Sequence, residues 1–226
     1  MKVEDSATKL EDCGDALVVA HDESHGAYEV AKRAFDVLFS LFVIVGFSWL
    51  FALIALAIKL DDPQGPVIFR QTRVGRGGRT FSMWKFRSMY SDAEERLAGL
   101  MRYNEKDGPV FKMAHDPRVT RVGHFIRKTS LDEFPQFFNV LFGQMSIVGP
   151  RPALPSEVAQ YTPYQSQRLL CDAGITSYWQ VQRNRDSLTF DEWVDLDLLY
   201  VRTRSFLTDL KLIFQTVGVV LTAQGC

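Results

Sequence analysis

The sequence predicts a mainly helical α+β protein that carries one short β-hairpin and is anchored to a membrane by an N-terminal hydrophobic helix. Three observations support this fold class: the uncharged stretch Val37–Ile58, two strand-like runs on either side of Gly75–Gly78, and helical spacing of apolar residues from Leu131 onward. The chain has 226 residues, 46% of them hydrophobic. That length and composition suit one compact domain and would crowd two.

Charge is distributed unevenly along the chain. Residues 1–31 hold two basic and eight acidic residues, whereas the rest of the chain holds 24 basic and 19 acidic residues. Residues 1–28 are also poor in large apolar side chains, so we expect an acidic, disordered tail there. The mildly basic body suits anionic partners such as a membrane surface, phosphates or nucleic acid.

The three cysteines, Cys13, Cys171 and Cys226, are scattered and odd in number. They have neither the spacing of a metal site nor that of a disulfide framework. A reducing, cytosolic environment is the simplest interpretation.

The stretch Val37–Ile58 is the clearest element in the sequence. Its twenty-two residues carry no charge, and a helix of that length spans roughly 33 Å, close to the thickness of the hydrocarbon core of a bilayer. A buried core helix is the alternative, but such helices rarely stay apolar on every side for so long. We therefore predict a membrane-embedded helix over residues 29–60.

Two topologies are open for this helix. Lys32 and Arg33 precede it and Lys59 follows it, and the positive-inside rule keeps such flanks in the cytoplasm. A bend near Gly46 and Ser48 would let the helix enter one leaflet and return. The sequence favours this re-entrant hairpin over a straight single span.

A short β-hairpin is predicted after Asp61–Pro66, which ends the hydrophobic helix. Residues 67–71 and 80–86 have the composition of strands, and Gly75–Gly78 has that of the turn between them. The glycines would alternatively cradle a phosphate, but the strand–loop–helix context of a phosphate-binding loop is missing. The turn is the better prediction.

Three helices are predicted beyond the hairpin. The first covers residues 91–103, with acidic residues in its first turn. Apolar residues at helical spacing predict the other two. These stripes are Leu131, Phe134, Phe137, Phe138, Leu141 and Phe142, then Leu207, Leu210, Phe214, Val217 and Leu221. The last helix would pack on the core or lie in the plane of the lipid headgroups.

The segment Arg127–Gln136 is the densest in polar residues that can do chemistry. Within it, Ser130–Glu133 fits a capping box, in which Glu133 reaches back to the helix N-terminus. That cap would put Pro135 at the fifth helical position, where its ring meets a backbone carbonyl. A helix that starts at Asp132 leaves the proline in the first turn, where it is tolerated. Taken alone, the segment favours capping over catalysis.

The charges around this segment allow a second interpretation, phosphoryl transfer. Adjacent carboxylates on a helix point about 100° apart, so Asp132 and Glu133 would have different tasks. Arg127 and Lys128 lie just upstream, and cations are needed where a carboxylate attacks an anionic diphosphate. One acid would attack phosphorus, and its neighbour would hold Mg²⁺.

Ordered motifs over almost two hundred residues resemble one protein family. From Lys32 to Cys226 the chain resembles the bacterial sugar transferase family, the monotopic polyprenyl-phosphate phosphoglycosyl transferases. This family usually has Ser-Pro at the bend of its membrane helix, where this chain has Ser48-Trp49. The matching pieces are Lys32–Asp36, Gly65–Gln71, Lys85–Met89, Asp116–Thr120, Arg127–Gln136, Asn139–Leu141, Gly149–Pro152, Trp179–Val181 and Leu196–Asp197.

The resemblance implies an enzyme that transfers a sugar 1-phosphate from a UDP-sugar to polyprenyl (undecaprenyl) phosphate and releases UMP. Asp132 matches the catalytic nucleophile, which forms a covalent aspartyl–phosphosugar, and Glu133 matches the second catalytic acid, a ligand of Mg²⁺. Phosphate-binding positions are matched by Arg127, Arg151, Arg87 and Lys85. Relatives that begin exopolysaccharide synthesis use galactose or glucose phosphates, and the compact length of this chain resembles a galactose-type initiator.

The same resemblance implies the bacterial inner membrane, with residues 61–226 as a catalytic domain on its cytoplasmic face. The expected partners are the UDP-sugar, polyprenyl phosphate and the membrane; nucleic acid is not expected, because a basic hairpin beside a membrane segment meets lipid phosphates. A homo-oligomer stays an open alternative, and Trp179 would either stack on a nucleobase or pack in the core. Two rival functions also stay open: direct attack by the lipid phosphate, and a membrane-anchored assembly protein without catalysis.

Overall fold

The computed structural model describes residues 26–105, 113, 115–182 and 187–221. Most of the predicted acidic tail therefore lies outside the described residues, and its last three residues belong to the first helix. The described part is mainly helical and contains two small two-stranded sheets, which confirms the predicted α+β composition.

The chain begins with two helices, α1 (Gly26–Gly46) and α2 (Ser48–Asp61), and continues into the hairpin strands β1 (Ile68–Val74) and β2 (Thr80–Phe86). Three helices follow: α3 (Ala93–Leu100), α4 (Arg121–Lys128) and α5 (Gln136–Leu141). The second sheet pairs β3 (Ser146–Val148) with β4 (Gly174–Thr176) in parallel, and the short helices α6 (Pro155–Val158) and α7 (Pro163–Ser166) lie between them in sequence. The last described helices are α8 (Phe190–Thr203) and α9 (Phe206–Leu221).

The predicted hydrophobic helix is two helices joined by a bend. The axes of α1 and α2 meet at 61° around Phe47, between the predicted bend residues Gly46 and Ser48. The bend forms although Trp49 stands where a proline would force it. None of the described helices is by itself long and apolar enough to cross a membrane, whereas α1 and α2 together satisfy that test of length and composition.

A helix on a water-exposed surface has an apolar buried face and a polar exposed face. In α1 the buried face is polar and the exposed face is apolar. Lys32, Asp36 and Ser40 follow one another at one-turn spacing, and all three are buried against the rest of the protein. Many exposed side chains of α1 and α2 are instead large and apolar. They include Leu38, Phe42, Val45, Trp49, Leu53 and Leu56.

Polar contacts fix both ends of the α1–α2 pair to the same domain. At the first end, Lys32 Nζ lies 2.9 Å from Asp209 Oδ2 of α9, a buried ion pair. At the second end, Asp61 Oδ2 accepts a hydrogen bond of 3.0 Å from the amide of Val122 in α4. Because a buried charge without a partner is costly, the Lys32–Asp209 pair resists separation of the helix from the domain.

The predicted β-hairpin is confirmed. β1 and β2 are antiparallel, and the turn between them includes Gly77 and Gly78 at φ +64° and +77°, a region that favours glycine. The glycine cluster is therefore the hairpin turn. Side chains alternate along each strand, and the register pairs Gln71 with Met83 and places Arg73 and Lys85 on that same face.

The predicted helix from Asp132 is wrong at its N-terminal end. Residues Leu131–Glu133 form a 3₁₀ turn, and the α-helix α5 starts only at Gln136, after Pro135. Ser130 has a left-handed backbone, with φ 56°, and its side chain makes no capping hydrogen bond. The capping box is therefore not formed. The other two predicted helices are confirmed as α3, which continues into a 3₁₀ turn, and α9.

Helix α5 packs between the α1–α2 pair and the hairpin. Phe134, just before it, contacts Phe47 at the bend, with ring centres 6.3 Å apart. On the other side, the fully buried Asn139 hydrogen-bonds to the backbone of β2 as a neighbouring strand would. Its Nδ2 donates to the carbonyl of Ser82, and its Oδ1 accepts from the amide of Trp84. The turn that carries Asp132 is thereby held between the α1–α2 pair and β2.

Candidate active site

The two adjacent acids lie in the 3₁₀ turn between α4 and α5. Within the described residues, Ser130 is the only residue other than glycine with positive φ, and it turns the chain out of α4. In the tight turn that follows, both carboxylates approach the same ammonium of β2. Lys85 Nζ lies 2.7 Å from Glu133 Oε1 and 4.0 Å from Asp132 Oδ2.

The shared ammonium leaves the two carboxyl groups with different protonation behaviour. Burial raises the pKa of Asp132 to about 6, against the opposing charges of Lys85 and Arg127. Burial also disfavours the charged form of Glu133, but the positive charges of Lys85 and Arg151 outweigh it and lower the pKa of Glu133. Glu133 is therefore the permanently ionised member of the pair, and Asp132 is the member that titrates near neutral pH.

A small cleft that is open to solvent adjoins Glu133. Its walls come from the hairpin, from α5, and from the loops after β3 and β4. The polar side chains that line it are Arg73, Lys85, Glu133, Gln136, Arg151 and Gln180. Since three of these are cations and one is an anion, the cleft suits an anionic ligand.

Arg151 reaches this cleft from the loop Gly149–Pro152 after β3. Gly149, just after β3, and Gly174 of β4 lie so close that a Cβ added to Gly174 would lie 2.0 Å from the amide nitrogen of Gly149. The guanidinium of Arg151 lies 5.8 Å from the centre of the Trp179 ring. It has no ion-pair partner among the residues that the structure describes, so its charge is available to a ligand.

The other two predicted phosphate-binding residues differ in their surroundings. Arg127 is in the last turn of α4, and its charge lowers the pKa of Asp132. Arg87 is not brought to the cleft: it is 5% exposed, its Nη1 lies 3.0 Å from Asp62 Oδ2, and its Nη2 donates to the carbonyl of Asp62. Its observed contacts join β2 to the end of α2.

Trp179 packs in the core, which settles the two alternatives for this residue. It is 4% exposed and stacks on Trp193, with ring centres 4.6 Å apart and an angle of 21° between the planes. This ring is not open to a nucleobase, because it stacks on Trp193, lies beside the guanidinium of Arg151 and is almost fully buried.

Three cleft residues were not singled out by the sequence as functional: Arg73, Gln136 and Gln180. For Arg73 a signal was present, because Arg73 and Lys85 share one face of the hairpin once the strands are paired. Gln136 lies just after Pro135, and Gln180 lies in the matched motif Trp179–Val181. Neither glutamine carries a charge or a spacing that marks it as functional.

The comparison with protein families decides the classification of the chain. A family model described as bacterial sugar transferase matches residues 27–223. The chain belongs to this family. The match includes every residue of the 3₁₀ turn that carries the two acids and of the cleft described above.

Curated relatives of the family differ in length and in the sugar that they are named for. The chain is 43% identical over 198 residues to the galactosyl transferase CpsE of Streptococcus agalactiae, and 41% identical over 199 residues to the UDP-glucose:undecaprenyl-phosphate glucose-1-phosphate transferase of Escherichia coli K12. These alignments cover 87% and 85% of this chain but only 43% and 40% of the relatives, so the chain spans less than half of their length. It is 36% identical over 200 residues to the exopolysaccharide production protein ExoY of Sinorhizobium fredii, which it matches over 87% of its own length and 88% of that protein.

The acids of this bacterial sugar transferase have the donor chemistry that Mg²⁺ needs. The described residues contain no group of three or more His, Cys, Asp or Glu side chains that would hold a metal by themselves. Mg²⁺, however, is usually bound through one or two carboxylates together with the phosphates of a substrate. The ionised Glu133 beside a cationic cleft fits that kind of site.

Proposed function

We propose that this protein is a phosphoglycosyl transferase that transfers a hexose 1-phosphate from a UDP-hexose to polyprenyl phosphate and releases UMP, the first membrane step of exopolysaccharide synthesis. The observation that carries the proposal is the buried carboxylate of Asp132, which lies 4.0 Å from the Nζ of Lys85, a residue that lines the cationic cleft together with Glu133. The names of the relatives support the same reaction and include both galactose and glucose. Galactose is our first choice of sugar because CpsE, which is 43% identical to this chain, is named a galactosyl transferase.

In the proposed reaction, a carboxylate oxygen of Asp132 attacks the β-phosphorus of the UDP-sugar. The bond between that phosphorus and the bridging oxygen breaks, and UMP leaves with the electron pair. An oxygen of polyprenyl phosphate then attacks the same phosphorus, and the carboxylate of Asp132 is released unchanged. Lys85 and Arg151 offset the repulsion between the attacking carboxylate and the phosphates.

The paired acids have distinct tasks in this scheme. Asp132, whose charged form is destabilised by burial, is the better nucleophile of the two, because a poorly solvated carboxylate gains more from forming a bond. Glu133 remains ionised, holds the Lys85 ammonium, and would bind Mg²⁺ together with phosphate oxygens. Bound there, Mg²⁺ would neutralise phosphate charge.

The experiment that tests this function measures UMP. Purified protein is incubated with polyprenyl phosphate, Mg²⁺ and either UDP-galactose or UDP-glucose, and UMP is measured together with the lipid-linked sugar diphosphate. We expect both products in equal amounts with one of the two donors. No UMP with any common UDP-sugar would exclude the enzyme and favour an assembly protein. Trapping a phosphosugar on Asp132 would distinguish the covalent route from direct attack by the lipid phosphate.

Activity should fall as the pH is lowered through about 6. The nucleophile must be ionised, and burial raises the pKa of Asp132 to about 6, so the protonated, inactive form persists to higher pH than for an ordinary aspartate. Below that pKa, the initial rate of UMP release should decrease about tenfold per pH unit. The check is a rate profile between pH 4.5 and 8.5, with each sample returned to pH 7.5 to verify that the enzyme is intact. A half-maximal rate near pH 4 would contradict the assignment.

We propose that α1 and α2 enter the cytoplasmic leaflet of the inner membrane and return as a re-entrant hairpin. Their outward apolar and inward polar faces support burial in lipid. Lys32 at one end and Asp61 at the other are bonded to the same domain, which supports both ends lying on one side of the membrane. A straight span would separate those ends by roughly the 30 Å of the hydrocarbon core.

Cysteine labelling tests this topology. Ala27 is exposed in the first turn of α1, and Gln64 is exposed just after α2. Ala27→Cys and Gln64→Cys are therefore made singly in a chain with Cys13 and Cys226 changed to serine; Cys171 is buried. In intact spheroplasts a membrane-impermeant maleimide should label neither position. After permeabilisation it should label both. Labelling of one position alone in intact spheroplasts would establish a single span.

A further inference from the structure

Arg73 is a buried arginine that lines the cleft and is held rigidly. It is 8% exposed. Its Nε and Nη2 donate to Gln71 Oε1 at 3.1 and 2.6 Å, and its Nη1 donates to the carbonyl of Pro152 at 3.1 Å. A guanidinium has five N–H donors, and these contacts use three of them. Within the described residues, one N–H on each terminal nitrogen is left for a ligand.

The charge of Arg73 is not matched by a nearby carboxylate. No carboxylate among the described residues lies within ion-pair distance of its guanidinium, whereas the buried Arg87 and Arg118 are each paired with an aspartate. Burial, followed by repulsion from Arg151, lowers the pKa of Arg73 to about 10. The more distant charges of Glu157 and Glu133 favour its protonated form, and it stays protonated at neutral pH. A buried cation without a carboxylate at ion-pair distance is only partly compensated, and two guanidinium groups at one cleft repel each other. A bound anion would relieve both costs.

The geometry of the proposed reaction indicates which anion this is. In an in-line displacement the attacking and leaving oxygens lie on opposite sides of phosphorus. Asp132 therefore expels UMP from the far side in the first step. In the second step the lipid phosphate attacks opposite Asp132, which brings it to the side that UMP has left. The phosphate of UMP and the phosphate of the lipid thus occupy the same place in turn.

We propose that Arg73 and Arg151 form one phosphate subsite, which first holds the phosphate of the departing UMP and then the phosphate of the lipid acceptor. This inference rests on the proposed function. The carbonyl of Pro152, next to Arg151, accepts from Arg73, so the Arg73 guanidinium is fixed to the loop that carries Arg151. Donors fixed in advance bind a phosphate without first having to be ordered.

The test compares Arg73→Gln with Arg79→Gln, an exposed arginine at the end of the same hairpin. UMP is titrated into each purified, detergent-solubilised protein by calorimetry, and the KM for polyprenyl phosphate is measured separately. Losing charge-assisted hydrogen bonds should weaken UMP binding by about 10- to 100-fold in Arg73→Gln and raise the KM for the lipid by a similar factor. Arg79→Gln should bind UMP as the wild type does. UMP should also inhibit competitively against polyprenyl phosphate.

A second variant keeps the test decisive if Arg73→Gln does not fold. Arg73→Lys preserves the charge, but one ammonium cannot bind Gln71, Pro152 and a phosphate together, so an intermediate loss of UMP affinity is expected. Unchanged UMP affinity in a folded variant would overturn the subsite. Weaker UMP binding with an unaltered KM for the lipid would overturn its shared use. If the wild type binds UMP through Arg73 but converts no UDP-sugar, the phosphate subsite stands and the proposed function fails.

Discussion

Changing Asp132 to asparagine should reduce UMP release by at least about 10³-fold, because an amide cannot form the phosphosugar adduct. The loss should not come from unfolding. The pKa of Asp132 is raised on folding, so its ionised form is less stable in the folded protein than in the unfolded chain. Its contribution to stability is present below the unfolded pKa and is lost as the pH rises through about 6. At pH 7.5 the neutral asparagine should therefore melt at the same temperature or higher.

The comparison for this variant is Asp191→Asn, an exposed aspartate in the first turn of α8 outside the cleft. Initial rates of UMP release and melting temperatures are measured for both variants and the wild type. Asp191→Asn should retain the wild-type rate. Equal rates for Asp132→Asn and the wild type would remove Asp132 as the nucleophile. A large rate loss together with a lowered melting temperature would show that the substitution acts through folding.

The sequence alone identified the elements of the protein better than it identified its site. The long apolar stretch, the glycine turn and the terminal stripe each have a local cause, and α1, α2, the hairpin and α9 followed from them. The sequence Ser130–Glu133 also matches the local pattern of a capping box, yet the capping hydrogen bonds do not form. Ser130 is left-handed, and Glu133 bonds to Lys85, a residue forty-eight positions away. A long-range ion pair of this kind has no local signature.

The composition of the cleft could not be read from sequence for a related reason. Lys85 and Arg73 face the same side only because β1 and β2 pair in one particular register, and a shift by one residue would turn one of them away. Arg151 reaches them through the parallel pairing of β3 with β4, where Gly149 lies against Gly174. The resemblance to the family selected Asp132, Glu133, Lys85 and Arg151, and the structure brings these four together.

Changing Lys85 to methionine should lower kcat by about 10²-fold or more and move the acidic limb of the pH profile to higher pH. Its ammonium is the strongest charge that favours ionisation of both acids, because it lies 2.7 Å from Glu133 and 4.0 Å from Asp132. Without it, two buried adjacent carboxylates repel each other, and one of them keeps its proton at a higher pH. The pKa of Asp132 should then rise above about 6.

The direction of the pH shift is what separates this role from a purely structural one. Lys85→Arg should restore part of the rate and return the acidic limb toward that of the wild type, because it supplies a positive charge with different geometry. Lys128→Met removes an exposed lysine from α4, close to the site in sequence, and should leave both rate and profile unchanged. If Lys85→Met lost activity but kept the acidic limb near pH 6, its ammonium would act on the substrate alone. The charge of Arg127, which favours the ionised form of Asp132, and the charge of Arg151, which favours that of Glu133, would then be sufficient to keep the two acids ionised.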